Sequence, residues 1–115
     1  MKIWIDGSGW NGSESKYSVV ADDGKVLMQS FPEQKTNNEM EYTALIAALS
    51  LKAKKGDVIF SDSALIVNQV AGFWKVKKKE LFPLCIEAQN LLKEKNCTLI
   101  WIPREENKAG HLLEK

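Results

Sequence analysis

The chain has 115 residues, of which 44% are hydrophobic and 27% charged, and its formal net charge is +1. These values predict one globular domain over residues 1–115 and exclude a disordered or strongly basic protein, so any binding to nucleic acid must come from local patches. Without a run of about 18 apolar residues, a secretory signal or a disulfide framework, the sequence predicts a cytoplasmic protein that does not contact membranes.

The N-terminal part of the chain carries the pattern of three β-strands. Residues 2–6 alternate polar and apolar side chains and end in Gly-Ser-Gly, and residues 17–21 and 25–31 are apolar enough for two further strands. The Asp23-Gly24 dipeptide between the latter two is typical of a hairpin turn. The segment therefore predicts an antiparallel three-stranded meander.

Helices and short strands follow the meander. Helical periodicity and capping residues predict four helices, over residues 37–54, 63–71, 80–95 and 105–113. Apolar runs between them predict two short strands, over residues 57–60 and 98–102. The order βββαβααβα predicts an α/β fold in which helices flank a mixed five-stranded sheet, with the first, fourth and fifth strands parallel.

Three acidic residues stand where strands end or a helix begins. Asp6 closes the first strand, Asp62 follows the fourth, and Glu41 lies in the first turns of the long helix. If the first and fourth strands are parallel neighbours, Asp6 and Asp62 reach the same edge of the sheet, and Glu41 can turn towards them. Three such carboxylates repel one another unless a cation lies between them, and Mg²⁺ prefers oxygen ligands of this kind.

Each acidic residue also has a local explanation. Asp62 in Ser-Asp-Ser could cap the next helix, Asp6 could belong to an ordinary turn, and Glu41 could be a solvated glutamate favoured by the helix dipole. The neighbouring Glu39 is expected to be simply solvated. The three acids favour a metal site only in combination, on these elements and in this order.

Four segments give the chain a family resemblance. They are DGSG after the first strand, TNNEMEYTALIAAL opening the long helix, SDSALIVNQVAG after the fourth strand, and IPREENKAG near the end, and they resemble the motifs of type 1 ribonuclease H in its short bacterial and archaeal form. The resemblance covers essentially the whole chain and implies the ribonuclease H-like fold. It implies an enzyme that cuts the RNA strand of RNA–DNA hybrids with two Mg²⁺ or Mn²⁺ ions, bound by Asp6, Glu41 and Asp62.

The resemblance also implies contacts with the substrate. Asn37 and Asn38 would hydrogen-bond the hybrid in its minor groove, and Thr36 would help to hold a DNA phosphate at the N-terminus of the helix. Asn37 could at the same time cap this helix. Backbone atoms around Gly7 and Ser8 would recognise the 2′-hydroxyls of the RNA strand. The implied reaction is in-line attack by water on the phosphodiester, leaving 5′-phosphate and 3′-hydroxyl ends.

The sequence departs from the family pattern at one candidate metal ligand. In the family segment PREENKxAD the aspartate is a fourth metal-site carboxylate, and here His111, the only histidine of the chain, takes its place. His111 could ligate a metal ion, with Mn²⁺ preferred to Mg²⁺, could transfer a proton, or could be merely exposed. Glu114, one turn later, is an alternative acid. Arg104 in the same segment could contact the scissile phosphate or form an ordinary surface salt bridge.

A basic run that begins with an aromatic residue is a further candidate for substrate binding. Residues 74–79 read Trp-Lys-Val-Lys-Lys-Lys. Trp74, Lys75 and Lys77 could hold the backbone of the DNA strand, which would make binding salt-dependent, or they could belong to a solvated loop.

The sequence leaves three functions open. The first is a ribonuclease H whose partner is an RNA–DNA hybrid. The second is a nucleic-acid-binding module of the same fold, with weak or lost catalysis because His111 replaces the usual acid. The third is a different metal-dependent nuclease of the same fold. The sequence indicates no protein partner, and we expect a monomer.

Overall fold

A computed structural model of the protein describes residues 1–113. The strands are β1 (Lys2–Ser8), β2 (Ser15–Ala21), β3 (Val26–Phe31), β4 (Val58–Ser61) and β5 (Thr98–Trp101). The helices are α1 (Asn37–Leu51), α2 (Ala64–Ala71), α3 (Phe82–Lys95) and α4 (Lys108–Leu113). Single 3₁₀ turns precede the last two helices, over Lys79–Leu81 and Arg104–Glu106. The predicted order of elements is confirmed. Within residues 1–113, no helix has the length and apolar character that a bilayer span requires.

The five strands form one mixed sheet in the order β3-β2-β1-β4-β5. β1 pairs with β2 in the antiparallel sense and with β4 in the parallel sense, and β4 is parallel to β5. This confirms the predicted fold class. The register pairs Ile5 with Ser61, so the residues that follow them, Asp6 and Asp62, emerge side by side at one edge of the sheet.

The hydrophobic core lies between the sheet and α1. Ile3, Ile5 and Ile59 are fully buried on one face of the sheet and belong to the same cluster as Ala44 and Ala48 of α1. Small side chains on α1 allow the helix to approach the sheet closely, which places the N-terminus of α1 over the end of β1. Because side chains alternate along a strand, Asp6 points to the face opposite Ile5.

The shorter helix α4 lies on that opposite face. Its Lys108 ammonium nitrogen is 4.4 Å from the centre of the Trp4 ring, and Ser18 Oγ donates a hydrogen bond to the carbonyl oxygen of Ala109 at 2.7 Å. The end of β1 is therefore held between α1 on one face and α4 on the other.

Element boundaries differ from the prediction by one to three residues, and three of these differences bear on the site. α1 ends at Leu51 rather than residue 54, because the chain leaves the helical conformation at Lys52. β1 extends to Ser8, since β2 begins earlier than predicted and pairs Lys16 with Ser8. The last helix begins only at Lys108, because Asn107 is extended, with φ −86° and ψ 102°, and separates α4 from the preceding 3₁₀ turn.

Candidate active site

Three carboxylates converge at the end of β1. Asp6, Glu41 and Asp62 each offer an oxygen atom, and these atoms all lie within 4.8 Å of one another. Asp6 is only 5% exposed. Ser63, not Asp62, is the N-cap of α2, with its hydroxyl accepting from the backbone N–H of Ile66. The predicted convergence is therefore confirmed, and the capping alternative for Asp62 is wrong.

The first turns of α1 are bound directly to the end of β1. The backbone N–H of Gly7 donates to Glu41 Oε1 at 2.9 Å, and that of Gly9 donates to Asn37 Oδ1 at 2.6 Å. A Cβ on Gly7 would lie 2.3 Å from the carbonyl carbon of Met40, closer than any van der Waals contact allows. The Gly-Ser-Gly segment thus lets α1 approach until Glu41 reaches Asp6.

We expect Gly7→Ala to lower the free energy of unfolding by about 1–3 kcal/mol and to reduce activity with it, because the added methyl group overlaps the backbone of α1. Urea unfolding followed by circular dichroism measures the loss. Gly12→Ala is the control for the loss of a glycine, since a Cβ there meets nothing within 4 Å, although its φ of +103° adds some strain. A Gly7→Ala variant as stable as the parent would contradict the close packing of β1 on α1.

Thr36 and Glu39 form a capping box at the start of α1. The Thr36 hydroxyl accepts from the backbone N–H of Glu39 at 3.1 Å, and Glu39 Oε1 accepts from the backbone N–H of Thr36 at 2.9 Å. Glu39, expected to be simply solvated, therefore has a structural role, and Thr36, rather than Asn37, is the N-cap. The capping interactions leave Glu41 free for the carboxylate cluster.

The cluster is electrostatically incomplete without a cation. Burial, followed by the charges of Asp6 and Asp62, raises the pKa of Glu41 from 4.5 to about 9, while the N–H of Gly7 and the charge of Arg104 act in the opposite direction. Closely spaced carboxylate oxygens that resist simultaneous ionisation are the ligand set that a hard divalent ion neutralises. The residues present therefore fit Mg²⁺ or Mn²⁺.

Arg104 and two of the carboxylates, Asp6 and Glu41, line a common cavity. The cavity has a volume of about 210 Å³, and its walls include Asp6, Gly7, Ser8, Asn37, Glu41 and Arg104. The structure thus brings together six of the residues singled out from the sequence. The cavity wall thus carries both cation ligands and a guanidinium, two kinds of group that can bind a phosphodiester.

His111 is not brought into the carboxylate cluster. Its side chain is exposed on α4, and the cluster found within residues 1–113 consists of Asp6, Glu41 and Asp62. The preceding residue, Gly110, faces the site instead, since a Cβ there would lie 3.6 Å from Asp62 Oδ2. Successive residues of a helix are rotated by about 100°, so a helix that directs position 110 at Asp62 turns position 111 away. Glu114 lies outside the described residues.

The basic run lies beside a second cavity, of about 460 Å³. Its walls include Asn38, Gln69, Trp74, Lys75, Lys77 and Lys78. One carbonyl group of α2 fixes the start of this run, because the backbone N–H groups of Phe73 and Trp74 both donate to the carbonyl oxygen of Asn68, at 2.9 and 3.2 Å. The predicted DNA-binding residues therefore lie next to the N-terminus of α1.

Two buried polar residues near the cavities make hydrogen bonds that the sequence did not indicate. Gln69 accepts a 2.7 Å hydrogen bond from the hydroxyl of Tyr42, the residue after Glu41. Asn107 donates to Asp62 Oδ2 at 3.0 Å. Both positions lie in segments that the sequence predicts to be helical. Polarity beside the apolar Val67 and Val70 was a signal for Gln69, whereas nothing local marks Asn107, which lies between Glu106 and Lys108.

Comparisons with known proteins agree with this geometry. A family model described as Reverse transcriptase-like matches residues 13–115. A bifunctional protein of Mycobacterium tuberculosis is 36% identical over 119 residues, covering 93% of this chain and 33% of that protein. The ribonuclease HI of Halobacterium salinarum is 30% identical over 109 residues, covering 91% of this chain and 52% of that protein. The chain thus spans about a third to a half of the length of these curated relatives.

Solved structures match over most of both chains. The N-terminal ribonuclease H domain of the Mycobacterium tuberculosis protein superposes with a TM-score of 0.75 at 31% identity, covering 92% of this chain and 84% of that domain. A ribonuclease H1 isolated from compost, in complex with an RNA/DNA hybrid, gives a TM-score of 0.75 at 30% identity, covering 97% and 91% of the two chains. By sequence, by fold and by the acidic residues that the fold brings together, this chain belongs to the type 1 ribonuclease H family.

Proposed function

We propose that the protein is an endonuclease that hydrolyses the RNA strand of RNA–DNA hybrids with two divalent metal ions and leaves 5′-phosphate and 3′-hydroxyl ends. The observation that carries the proposal is the convergence of Asp6, Glu41 and Asp62 to within 4.8 Å beside a cavity that also contains Arg104. The structural relative solved with an RNA/DNA hybrid supports the choice of substrate.

The site residues divide the chemical work between them. The three carboxylates hold the ions, which when bound activate the attacking water and stabilise the leaving 3′-oxygen. The Arg104 guanidinium holds the scissile phosphate through charge-assisted hydrogen bonds. Backbone groups at Gly7 and Ser8 line the same cavity and contact the 2′-hydroxyl, which distinguishes ribose from deoxyribose.

The N-terminus of α1 lies between the two cavities, and we place one strand of the hybrid on each side of it. Asn37 lines the cavity of the carboxylates, whereas Asn38 lines the cavity of Trp74 and the lysines. A duplex whose minor groove lies over the two asparagines would have one strand at each cavity. We place the RNA strand at the carboxylates and the DNA strand at the basic run. Thr36, which lies with Lys35 and Asn37 along a neighbouring cavity at the helix N-terminus, contributes to the binding of a DNA phosphate.

A hybrid with both strands labelled, incubated with Mg²⁺ and separately with Mn²⁺, tests the proposed function. We expect cleavage of the RNA strand alone, and faster cleavage with Mn²⁺. Binding without cleavage would instead support a nucleic-acid-binding module, the reading favoured by the missing fourth carboxylate. Cleavage of an RNA duplex or a DNA strand would assign the site to a different nuclease reaction.

The contribution of His111 is tested by metal binding. Because its side chain is exposed on α4 and lies outside the carboxylate cluster, we expect His111→Ala to bind Mn²⁺ within about twofold of the parent affinity. If His111 instead transfers a proton, as the sequence also suggested, His111→Ala would cleave more slowly although its Mn²⁺ affinity is unchanged. A tenfold loss of Mn²⁺ affinity would restore the role of metal ligand that the sequence suggested.

We expect replacement of Lys75 and Lys77 together by glutamine to weaken hybrid binding and to reduce its salt dependence. Each lost phosphate contact lowers the slope of log K against log salt concentration by roughly 1, so the slope should fall by about 2. Fluorescence anisotropy at several salt concentrations measures this slope. The matched control replaces Lys54 and Lys55, which are exposed beyond the opposite end of α1. An equal change in both variants would show that the basic run has no special contact with the hybrid.

A further inference from the structure

Asn107 connects three parts of the site through one buried side chain. Its Nδ2 atom donates to the carbonyl oxygen of Ile5 at 2.9 Å and to Asp62 Oδ2 at 3.0 Å. Its Oδ1 atom accepts from the backbone N–H of Ala109 at 3.1 Å. Asn107 is fully buried. A single amide therefore links the end of β1, a carboxylate of the cluster and the first turn of α4.

The chemistry of the partners requires an amide at this position. The carbonyl of Ile5 and the carboxylate of Asp62 are acceptors, whereas the N–H of Ala109 is a donor. An amide group supplies two N–H hydrogens on one side and an acceptor oxygen on the other, which satisfies all three partners in one orientation. An aspartate would place an acceptor against two acceptors, and an aliphatic side chain would leave three buried polar groups without their bonds.

The bonds of Asn107 also act on the geometry of the cluster. Ile5 immediately precedes Asp6, so the amide fixes the position of Asp62 relative to the strand that carries Asp6. The bond to Oδ2 limits rotation of the Asp62 carboxylate and so orients its other oxygen. Hydrogen bonds to ligating carboxylates tune metal sites, and their loss typically reduces metal affinity about 10–100-fold.

We propose that Asn107 is a positioning residue for the metal site, which holds the Asp62 carboxylate in register with Asp6. This role rests on the proposed function, because it presumes that the cluster binds a divalent ion. It differs from a general structural role, since α4 has a second buried anchor, the bond from Ser18 to the carbonyl oxygen of Ala109. The hydroxyl of Ser18 binds α4 but, unlike the amide of Asn107, is not the donor to Asp62. Ser18→Ala is therefore the matched control.

Mn²⁺ titration followed by electron paramagnetic resonance tests the proposal without requiring catalysis. We expect Asn107→Ala to bind Mn²⁺ 10–100-fold more weakly than the parent. Ser18→Ala, which removes the other anchor of α4 and leaves the bonds of Asn107 in place, should stay within about twofold. Equal affinities of Asn107→Ala and the parent, or an equal loss in Ser18→Ala, would overturn the positioning role. A parent that binds no Mn²⁺ would overturn the proposed function as well, which separates the two failures.

A double-mutant cycle shows whether Asn107 acts through Asp62. In an Asp62→Asn background, Asn107→Ala should weaken Mn²⁺ binding by less than about threefold, because the carboxylate that it positions is already gone. If the losses of Mn²⁺ affinity caused by the two substitutions are fully additive, Asn107 does not act through Asp62. If Asn107→Ala lacks a cooperative unfolding transition, Asn107→Ser takes its place in both experiments, since a water beside the smaller hydroxyl can satisfy the buried groups and preserve the fold without fixing the Asp62 carboxylate.

Discussion

Asp6→Asn is expected to slow cleavage of the RNA strand at least ~10³-fold while leaving the fold at least as stable as that of the parent. Asp6 is the most buried acid of the cluster and lies on β1, between the faces covered by α1 and α4. Loss of its charge removes several kcal/mol of transition-state stabilisation, and each 1.4 kcal/mol corresponds to about a tenfold change in rate. Removal of the same charge relieves the repulsion that raises the pKa of Glu41.

Single-turnover cleavage and thermal unfolding of the metal-free protein measure the two parts of this prediction. Asp57→Ala is the matched control, because Asp57 is a second buried aspartate, which accepts from the backbone N–H of Lys54 at 2.8 Å, away from the cluster. We expect Asp57→Ala to lower the melting temperature and to retain the cleavage rate, the opposite pair of effects. Cleavage by Asp6→Asn at the rate of the parent would remove the basis for the assigned site.

The carboxylate cluster could be predicted because it follows from topology. The alternation of residues 2–6, the meander and the later strand–helix alternation fix which strand ends are neighbours. Once β1 and β4 are parallel neighbours, Asp6 and Asp62 must emerge at the same edge. Glu41 needed one further piece of information, the Gly-Ser-Gly segment that admits α1, and that segment was visible in the sequence.

The positions around α4 could not be predicted because they depend on the residue at which the helix begins. A continuous helix over residues 105–113 was expected, whereas Asn107 interrupts it and α4 starts at Lys108. Alignment with the family segment PREENKxAD assigns His111 to the site. In the structure, however, the face that α4 presents to Asp62 carries Gly110. The interruption comes from hydrogen bonds with residues distant in sequence, and those bonds leave no local pattern.

The capping box of Thr36 and Glu39 shows a different kind of error. The pattern Thr-x-x-Glu was present in the sequence and is a known signal for the start of a helix. The cap was nevertheless expected at Asn37, one residue later, because asparagine also favours the N-cap position. In the structure Thr36 and Glu39 cap the helix, whereas the side chain of Asn37 accepts a hydrogen bond from the backbone N–H of Gly9.

Glu41→Gln is expected to stabilise the metal-free protein above pH 5 and to abolish cleavage. The pKa of Glu41 is raised from 4.5 to about 9 in the folded protein, so the folded state binds more protons than the unfolded state across this interval. The free energy of unfolding of the parent therefore falls as the pH rises from about 5 to 9. Glutamine carries no proton to lose, so the variant lacks this decline. Its advantage at pH 7 has an upper bound of roughly 3 kcal/mol.

Urea unfolding at pH 5, 7 and 9 measures the difference between Glu41→Gln and the parent, and this difference removes the contribution of titrating groups outside the carboxylate cluster. Glu39→Gln, in the same turn of α1, should keep the decline of the parent because it leaves Glu41 in place. Metal binding adds an independent signature, since an ion displaces the proton from Glu41: calorimetry at pH 7 should detect about one proton released on Mg²⁺ binding by the parent. A stability difference that is the same at all three pH values would show that Glu41 is ionised in the folded protein, and the cluster would then hold three negative charges without a cation.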